Sequence, residues 1–384
     1  MSRLELNRTY ECKAIAFNEQ LPISTKAGTV IGESAVTIPK GIQHLGDGSI
    51  MASFYAPEAG VVSLVFAGQE LPMVKGDDGV WETTFVPETP GLQAVIFKVD
   101  GVTVLNPMAP IGFGWSRPMN YVDVPEKDYD FYLLKDVPHG VVVQDFYYAT
   151  VTGNYESCML YLPPEYMSVS DQKYPVLYLQ HGHGENEKCW AYQGKVNFIM
   201  DNLLAEGKAV PCIIVMNNGM VHTKDSEGNP IMDSSLLEDL LVKDCIPFIE
   251  RKYRVYTDKN NRAMAGLSMG SMQTSITTMH HPELFHYVGI FSGFLRRISD
   301  GNGDHLVFLD DKDRFQSAFK VFMRAIGTED FFGDIFAKEN ELMEEKGLAP
   351  EQCPNHKIYY YPGGHEWQVW RKCIYDFLQL VFHN

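Results

Sequence analysis

The spacing of apolar residues divides the chain into two differently patterned regions. Between about residue 48 and residue 105, short apolar runs such as Ile50–Ala56, Val61–Phe66 and Leu92–Val99 alternate with turn sequences rich in Asp, Gly and Pro. Strands that recur about every 8–12 residues, with no helical period between them, are typical of a β-sandwich. We therefore predict an all-β, immunoglobulin-like sandwich over residues 1–125, with a linker to about residue 140. The stretch from about 106 to 140, which is rich in Pro, Gly and aromatic residues, is interpreted as a linker with some order.

From about residue 141 onward, predicted strands alternate with predicted helices. The continuous apolar runs Val176–Gln180 and Ile213–Met216 are typical of parallel strands that are buried on both faces. Leu236–Tyr253 and Trp367–Phe382 carry apolar residues at helical spacing instead. This alternation predicts an α/β fold with right-handed crossovers over residues 141–384.

A candidate nucleophile, Ser268, lies in the pentapeptide Gly266-Leu267-Ser268-Met269-Gly270. A predicted strand precedes this G-x-S-x-G pattern and a predicted helix follows it, as a nucleophile elbow requires. The glycines permit a strained turn, and the start of the helix directs backbone N–H groups at a developing oxyanion. The alternative is a strand-to-helix turn rich in Gly and Ser that has no chemical role.

Two later residues would complete the order serine, acid, histidine that this fold uses. His365 follows the last predicted strand and the loop Pro362-Gly363-Gly364, which places it as the general base. Asp330 follows the predicted strand Val321–Ile326 and would hold the imidazole tautomer, with Glu329 as its nearest rival. The alternatives are a histidine at a helix N-terminus and a solvated loop carboxylate.

The segment after the strand Val176–Gln180 predicts the oxyanion site. It reads His181-Gly182-His183-Gly184-Glu185. We expect the backbone N–H groups of His183 and Met269 to bind the oxyanion, with Gly184 as an alternative donor to His183. A metal site formed by His181, His183 and Glu185 is a competing interpretation. Because no second ligand cluster is visible, we expect no metal and no cofactor.

Composition narrows the classes of partner. The net charge of −17 and the absence of a basic run oppose binding to nucleic acid. No apolar window of about 18 residues is present, so no membrane partner is expected. The seven cysteines are scattered and predict neither a zinc site nor a disulfide framework.

The first residues lack an apolar signal region, so we expect a cytoplasmic protein, or an exported one if the sequence is trimmed. A homodimer is left open.

Several segments together resemble carbohydrate esterase family 1, the feruloyl and acetylxylan esterases. They include YPVLYLQHGHGENEKCW, NRAMAGLSMGSMQ and YYYPGGHEWQVWR, and the resemblance covers about residues 140–384. Residues 48–110 resemble the isoamylase N-terminal, glycogen-binding-type module, in FYAPEAGVVSLVF and DDGVWETTF. The resemblance implies an α/β-hydrolase that removes feruloyl groups from oligosaccharides of the plant cell wall, with Ser268, Asp330 and His365 as its triad. Ser271 departs from the pattern, because similar enzymes often have glycine there.

Three tryptophans are candidate substrate contacts. Trp190 and Trp367 lie near the oxyanion and histidine loops in sequence and could form an aromatic wall for a phenolic acyl group, with core packing as the alternative. Trp115 lies in a Gly-rich stretch and is a candidate for a surface or interdomain contact.

Three other functions remain open at this stage. They are an acetylxylan esterase, a siderophore (enterochelin-type) esterase and a carbohydrate-binding protein with an inactive hydrolase domain. A siderophore esterase would favour a basic patch for its triply anionic iron complex, and the sequence shows none.

Overall fold

The computed structural model describes residues 40–296 and 303–383, and its internal contacts divide the chain into two compact units. Of the described residues, the first unit contains 40–89, 93–111 and 119–122. The second contains residues 90–92, 112–118, 123–296 and 303–383. The part of the predicted sandwich before residue 40 lies outside the described residues. The boundaries predicted near residues 125 and 141 stay predictions.

The N-terminal part of the described chain, up to residue 124, consists of β-strands in two sheets, in which the assigned pairs are antiparallel. One sheet has the order β1-β2-β6-β5, and the other has the order β4-β3-β7-β10-β9 with β8 beside β7. The described strands are β1 (Ile42–His44), β2 (Ile50–Tyr55), β3 (Val62–Phe66), β4 (Gln69–Pro72), β5 (Val74–Lys75), β6 (Val80–Phe85), β7 (Gly91–Val99), β8 (Val102–Val104), β9 (Ile111–Gly114) and β10 (Arg117–Val124). This arrangement agrees with the predicted β-sandwich.

The turn between β7 and β8 shows how local sequence sets the register. Asp100 and Gly101 both have positive φ, at 49° and 81°, as a two-residue hairpin turn of the primed type requires. The Asp100 carboxylate also accepts the backbone N–H groups of Gly60 and Val61, at 2.9 and 2.8 Å. One aspartate therefore fixes its own turn and the entry to β3.

The structure corrects one expectation about secondary structure and interrupts one predicted helix. The stretch 106–140, predicted as a linker, supplies β9 and β10 to the second sheet. The helix predicted over Leu236–Tyr253 is interrupted, because the π-helical segment Leu240–Cys245 precedes the α-helix Ile246–Lys252. Pro247 lacks the N–H that would bond to the carbonyl four residues earlier, and the regular α-helical pattern fails just before it.

In the described part of the second unit, eight strands form one sheet with the order β11-β12-β14-β13-β17-β18-β19-β20. The pairs from β14 to β20 are parallel, and β11 and β12 are antiparallel. These strands are β11 (Val141–Ala149), β12 (Asn154–Leu162), β13 (Val176–Gln180), β14 (Ile213–Asn217), β17 (Arg262–Leu267), β18 (Tyr287–Phe291), β19 (Val321–Gly327) and β20 (His356–Tyr361); β15 (His222–Lys224) and β16 (Pro230–Met232) form a separate hairpin.

Helices connect the parallel strands. The described α-helices are α1 (Cys189–Tyr192), α2 (Val196–Ala205), α3 (Leu237–Asp239), α4 (Ile246–Lys252), α5 (Met269–His280), α6 (Lys312–Ala318), α7 (Gly333–Glu345) and α8 (Trp367–Leu378). This is the predicted α/β-hydrolase fold. None of the helices in the described ranges combines the length and apolar character that a membrane span requires.

The central sheet is buried on both faces. Along β13, Val176 and Tyr178 belong to one hydrophobic cluster, whereas Leu177 and Leu179 belong to the cluster on the other face. This explains the unbroken apolar run, since successive strand residues point to opposite faces. The six cysteines in the described ranges are free and buried, where they act as small apolar side chains.

A buried ion pair joins the end of β10 to the last helix. Arg371 of α8 donates two parallel hydrogen bonds of 2.9 Å to the carboxylate of Asp123 and lies over the ring of Tyr132. Burial alone would raise the pKa of Asp123, but the charges and hydrogen bonds of Arg371 and Lys195 hold this pKa below its usual value. The pair fixes residue 123 within the second unit.

We expect Asp123→Ala to lower the free energy of unfolding by about 3 kcal/mol, because it leaves the guanidinium of Arg371 buried without its anion. Urea denaturation followed by circular dichroism measures the change. The control is Asp130→Ala, which removes an exposed partner of Lys135 and should cost less than about 1 kcal/mol. Equal costs in the two variants would contradict a stabilising role for the buried pair.

Candidate active site

Ser268 lies at a sharp turn between β17 and α5. Its backbone has φ 52° and ψ −118°, a conformation that non-glycine residues rarely adopt. A Cβ on Gly266 would collide with the carbonyl of Gly270, and a Cβ on Gly270 would lie 2.6 Å from the carbonyl oxygen of His181. Both positions therefore require glycine, and the turn holds the serine side chain at the carboxyl end of the central strand.

The structure brings the three predicted triad residues together. His365 Nε2 lies 3.0 Å from Ser268 Oγ, and His365 Nδ1 lies 2.9 Å from Asp330 Oδ2. Asp330 also accepts the backbone N–H of Phe332 at 3.0 Å. These distances are within hydrogen-bond reach for proton transfer from the serine hydroxyl to the imidazole.

The electrostatics of this arrangement favour an ionised acid. Burial by itself would raise the pKa of Asp330. The hydrogen bond and charge of His365, with the N–H of Phe332, outweigh burial and hold this pKa below its usual value. An ionised Asp330 can accept a hydrogen bond from the N–H at Nδ1 of His365. The lone pair of His365 then lies on Nε2, directed at Ser268.

The predicted oxyanion donors flank the serine. Among the described residues, the backbone N–H groups of His183 and Met269 donate to no acceptor. The Gly184 N–H, the alternative donor, instead contacts Met220 Sδ at 3.5 Å. A Cβ on Gly182 would lie 3.4 Å from Ser268 Cβ, so this loop passes directly beside the nucleophile. The assignment of His183 and Met269 as the oxyanion site remains a prediction.

The residues of the competing metal interpretation have other partners. His181 Nε2 lies 2.9 Å from the Gly219 backbone nitrogen, which donates its N–H to the ring. Glu185 Oε2 accepts the N–H of Gly182 at 2.9 Å, and its carboxylate also receives a hydrogen bond from Trp367. The polar groups of the loop thus hold its own backbone in place.

Ser271, which stands where similar enzymes often have glycine, has a structural role. Its hydroxyl donates to the Ser268 carbonyl at 2.6 Å and accepts the N–H of Phe294 at 3.0 Å. A Cβ on Gly293 would collide with this hydroxyl. The side chain therefore ties the start of α5 to the segment after β18.

The three predicted tryptophans lie in different environments. Trp190 is 1% exposed and donates its indole N–H to the Gln180 carbonyl at 2.9 Å, and Trp367 is 5% exposed and packs edge-on against it. Their burial favours the core-packing alternative. Trp115 is 66% exposed, and the neighbouring Ser116 N–H donates to the Gly184 carbonyl at 2.8 Å. The tip of the β9–β10 hairpin therefore contacts the oxyanion loop.

Sequence reasoning missed two aromatic residues that contact His365. Phe331 is 72% exposed, and its ring centroid lies 4.7 Å from that of His365. Phe332 contacts the same imidazole at 5.1 Å. The available signal was their position directly after Asp330, because the loop that carries the acid must also pass beside the base.

The elbow, the hydrogen-bonded Ser-His-Asp arrangement and the strand order define a class, the serine hydrolases of the α/β-hydrolase fold. A model of the family described as putative esterase matches residues 150–379, and the chain belongs to this family. The endo-1,4-beta-xylanase/feruloyl esterase of Xylanibacter ruminicola is 34% identical over 337 residues, covering 85% of this chain and 44% of that protein. The chain thus spans less than half the length of this relative.

Solved structures show the same fold. A ferulic acid esterase from Anaeromyces mucronatus is 26% identical, with a TM-score of 0.53, over 66% of this chain and 96% of its own. The enterobactin esterase of Shigella flexneri covers 92% of this chain and 100% of its own with a TM-score of 0.59. Its identity is only 14%, so it supports the fold alone.

We expect Asp330→Asn to lower kcat on 4-nitrophenyl acetate by about 10⁴-fold, because an amide cannot hold the required imidazole tautomer. Glu329→Gln is the matched control, since Glu329 is the rival acid and its neighbour in the same loop; it should retain activity within about threefold. A large loss in the Glu329 variant with an active Asp330 variant would reverse the assignment of the acid.

Burial raises the pKa of Glu185 to about 8, although the hydrogen bonds from Gly182 and Trp367 oppose this rise. In the unfolded chain a glutamate titrates near pH 4.3. The stabilising effect of the protonated group is therefore complete below about pH 4.3 and is lost as the pH rises to about 8. We expect Glu185→Gln to remove this part of the pH dependence of the free energy of unfolding, measured in urea between pH 5 and pH 8. Parallel curves for the two proteins would contradict it.

Proposed function

We propose that this chain is a serine carboxylic-ester hydrolase that acts as a feruloyl (hydroxycinnamoyl) esterase on oligosaccharides derived from plant cell walls. The observation that carries the proposal is the continuous hydrogen-bonded line from Ser268 through His365 to Asp330. The acyl specificity is supported by the relatives named feruloyl esterase. No metal or organic cofactor takes part in this chemistry.

The proposed reaction is acyl transfer to Ser268. His365 Nε2 accepts the Ser268 proton as the oxygen attacks the ester carbonyl, and the backbone N–H groups of His183 and Met269 bind the oxyanion. The imidazolium, stabilised by ionised Asp330, then protonates the leaving alcohol. Water, activated by the same imidazole, hydrolyses the acyl-enzyme and releases the acid.

An exposed aromatic surface supports a planar phenolic acyl group. The Phe331 ring lies against the catalytic imidazole and is open to solvent, and Trp115 is exposed on a hairpin that contacts the oxyanion loop. Offset or edge contacts with such rings stabilise a bound aromatic group. Phe331 takes the role that the sequence suggested for Trp190 and Trp367.

The two alternative esterase functions would require different features at the active site. An acetylxylan esterase would gain little from an exposed aromatic ring beside the base. A siderophore esterase acts on an anionic complex, which a chain of net charge −17 would repel unless it had a local basic patch. A cytoplasmic location and a homodimer belong to this proposal, whereas glycan binding by a sandwich domain over residues 1–125 is left open.

Ser268→Ala should abolish hydrolysis of methyl ferulate, with a loss in kcat of about 10⁵-fold or more, because the attacking oxygen is removed. Liquid chromatography of released ferulate measures the rate, and circular dichroism checks the fold. Thr274→Ser on the same helix is the control and should remain active. Full activity of Ser268→Ala, or no activity of the unaltered protein on feruloyl and acetyl esters alike, would refute the proposal.

Phe331→Ala should lower kcat/KM for methyl ferulate by about 10-fold, which corresponds to about 1.4 kcal/mol of aromatic contact. Activity on 4-nitrophenyl acetate, whose acyl group lacks a ring, should change less than about threefold. Phe331→Tyr keeps the ring and should restore the feruloyl ester. Equal losses on both substrates would show that Phe331 supports His365 rather than the acyl group.

A further inference from the structure

A cluster of metal-ligating side chains lies at the C-terminal end of α5, away from Ser268. It consists of His280, Asp304 and His305, whose ligand atoms all lie within 4.8 Å of one another. Because α5 has 12 residues, this cluster is about 18 Å from the nucleophile. We propose that these three residues bind one zinc-type divalent cation.

The hydrogen bonds of the two histidines leave the appropriate nitrogens free. His305 Nε2 lies 2.6 Å from the Leu295 carbonyl, so it carries the proton and Nδ1 keeps its lone pair. His280 Nδ1 lies 3.0 Å from the Glu238 carboxylate, which leaves the Nε2 lone pair on the side of Asp304. A carbonyl or carboxylate behind each imidazole is the usual support of a metal-binding histidine.

One distance within the cluster fits two ligands of a metal better than a direct hydrogen bond. His280 Nε2 is 3.5 Å from Asp304 Oδ1, beyond the usual hydrogen-bond range of about 2.7–3.2 Å. Two ligands that each lie about 2.0–2.1 Å from a tetrahedral ion are separated by roughly 3.3 Å. A cation between these two atoms would therefore need little movement of either side chain.

The charge around the cluster favours a cation. Among the described residues, Glu238, Asp304 and Glu283 form ion pairs only with histidines. With the imidazoles neutral, these three carboxylates form no ion pair with a lysine or arginine of the described ranges. A divalent ion would compensate for this excess, and zinc is selected over magnesium or calcium because two ligands are imidazole nitrogens.

Burial determines which side of the site stays open. His305 is 5% exposed, whereas the side chain of Asp304 is 93% exposed and that of His280 is 32% exposed. Water can complete the coordination from the Asp304 side. His281 does not belong to the ligand set, because its Nε2 faces Glu238 at 3.0 Å and its Nδ1 faces Glu283 at 3.5 Å.

The ion would connect the C-terminal end of α5 with the segment that contains Asp304 and His305. His305 is the second residue of the helical segment Asp304–Asp310. The Leu295 carbonyl that its ring contacts also accepts the Ser275 hydroxyl at 2.8 Å. The bound ion would thus stabilise the chain that follows β18, without contacting the substrate.

The test uses tag-free protein, stripped of metal with a chelator and titrated with zinc chloride in a calorimeter. We expect one ion per chain and a higher melting temperature with zinc. His280→Ala and Asp304→Asn should each weaken binding by about 10–100-fold or more. His281→Ala is the matched control, since it removes the adjacent imidazole from the same helix end, and its affinity should change less than about threefold.

Ester hydrolysis by the His280 and Asp304 variants, compared with that of the unaltered protein, confirms that each is folded. The proposal is overturned if the folded, unaltered protein shows no saturable binding. It is equally overturned if the variants bind zinc as tightly as the unaltered protein, which would place the ion elsewhere. Neither result bears on the assignment of Ser268, because the cluster takes no part in the hydrolysis.

Discussion

Close backbone packing around Ser268 is the constraint on which the rest of the catalytic unit depends. A residue held in a rare backbone conformation costs on the order of 1–3 kcal/mol and persists only when its surroundings leave no alternative. Here the Ser268 N–H donates to the Phe291 carbonyl at 2.9 Å, and the hydroxyl of Ser271 binds the Ser268 carbonyl. Gly266, Gly270 and Gly293 are the positions where a methyl group would break this packing.

The sheet also positions Asp330 and His365, the other two residues of the proposed triad. On the far side of β18 from the elbow strand β17, β19 and β20 pair in parallel. Beyond the ends of these two strands, the loops that follow them remain joined by backbone hydrogen bonds. Thr328 donates to Tyr361 at 2.8 Å, and Glu329 donates to the Gly363 carbonyl at 2.9 Å. The loop that carries Asp330 is thereby fixed to the loop that carries His365. The distance between acid and base follows from strand pairing, so little reorganisation is needed during the reaction.

Much of the fold and the proximity of Ser268, Asp330 and His365 could be predicted, because residues that follow parallel strands must meet at one edge of the sheet. Burial of individual side chains could not. Trp190 and Phe331 both lie near predicted loops, and only tertiary packing places the first in the core and the second at the surface. The stretch around β9 and β10 was misread because Pro110 and Pro118 suggest irregular chain, whereas proline is tolerated at the edges and starts of strands.

The distribution of the catalytic unit along the chain limits how the protein can be divided. Residues 112–118 belong to the same compact unit as the esterase fold, and Asp123 neutralises Arg371 of the final helix. A fragment cut to the family-matched span of 150–379 would keep every triad residue but lose the hairpin on the oxyanion loop and the anion for that arginine. The segment that similarity outlines therefore omits contacts that the full chain makes with the proposed active site and the last helix. If residues 150–379 were exchanged between relatives, the proposed triad would be separated from the β9–β10 hairpin and from Asp123.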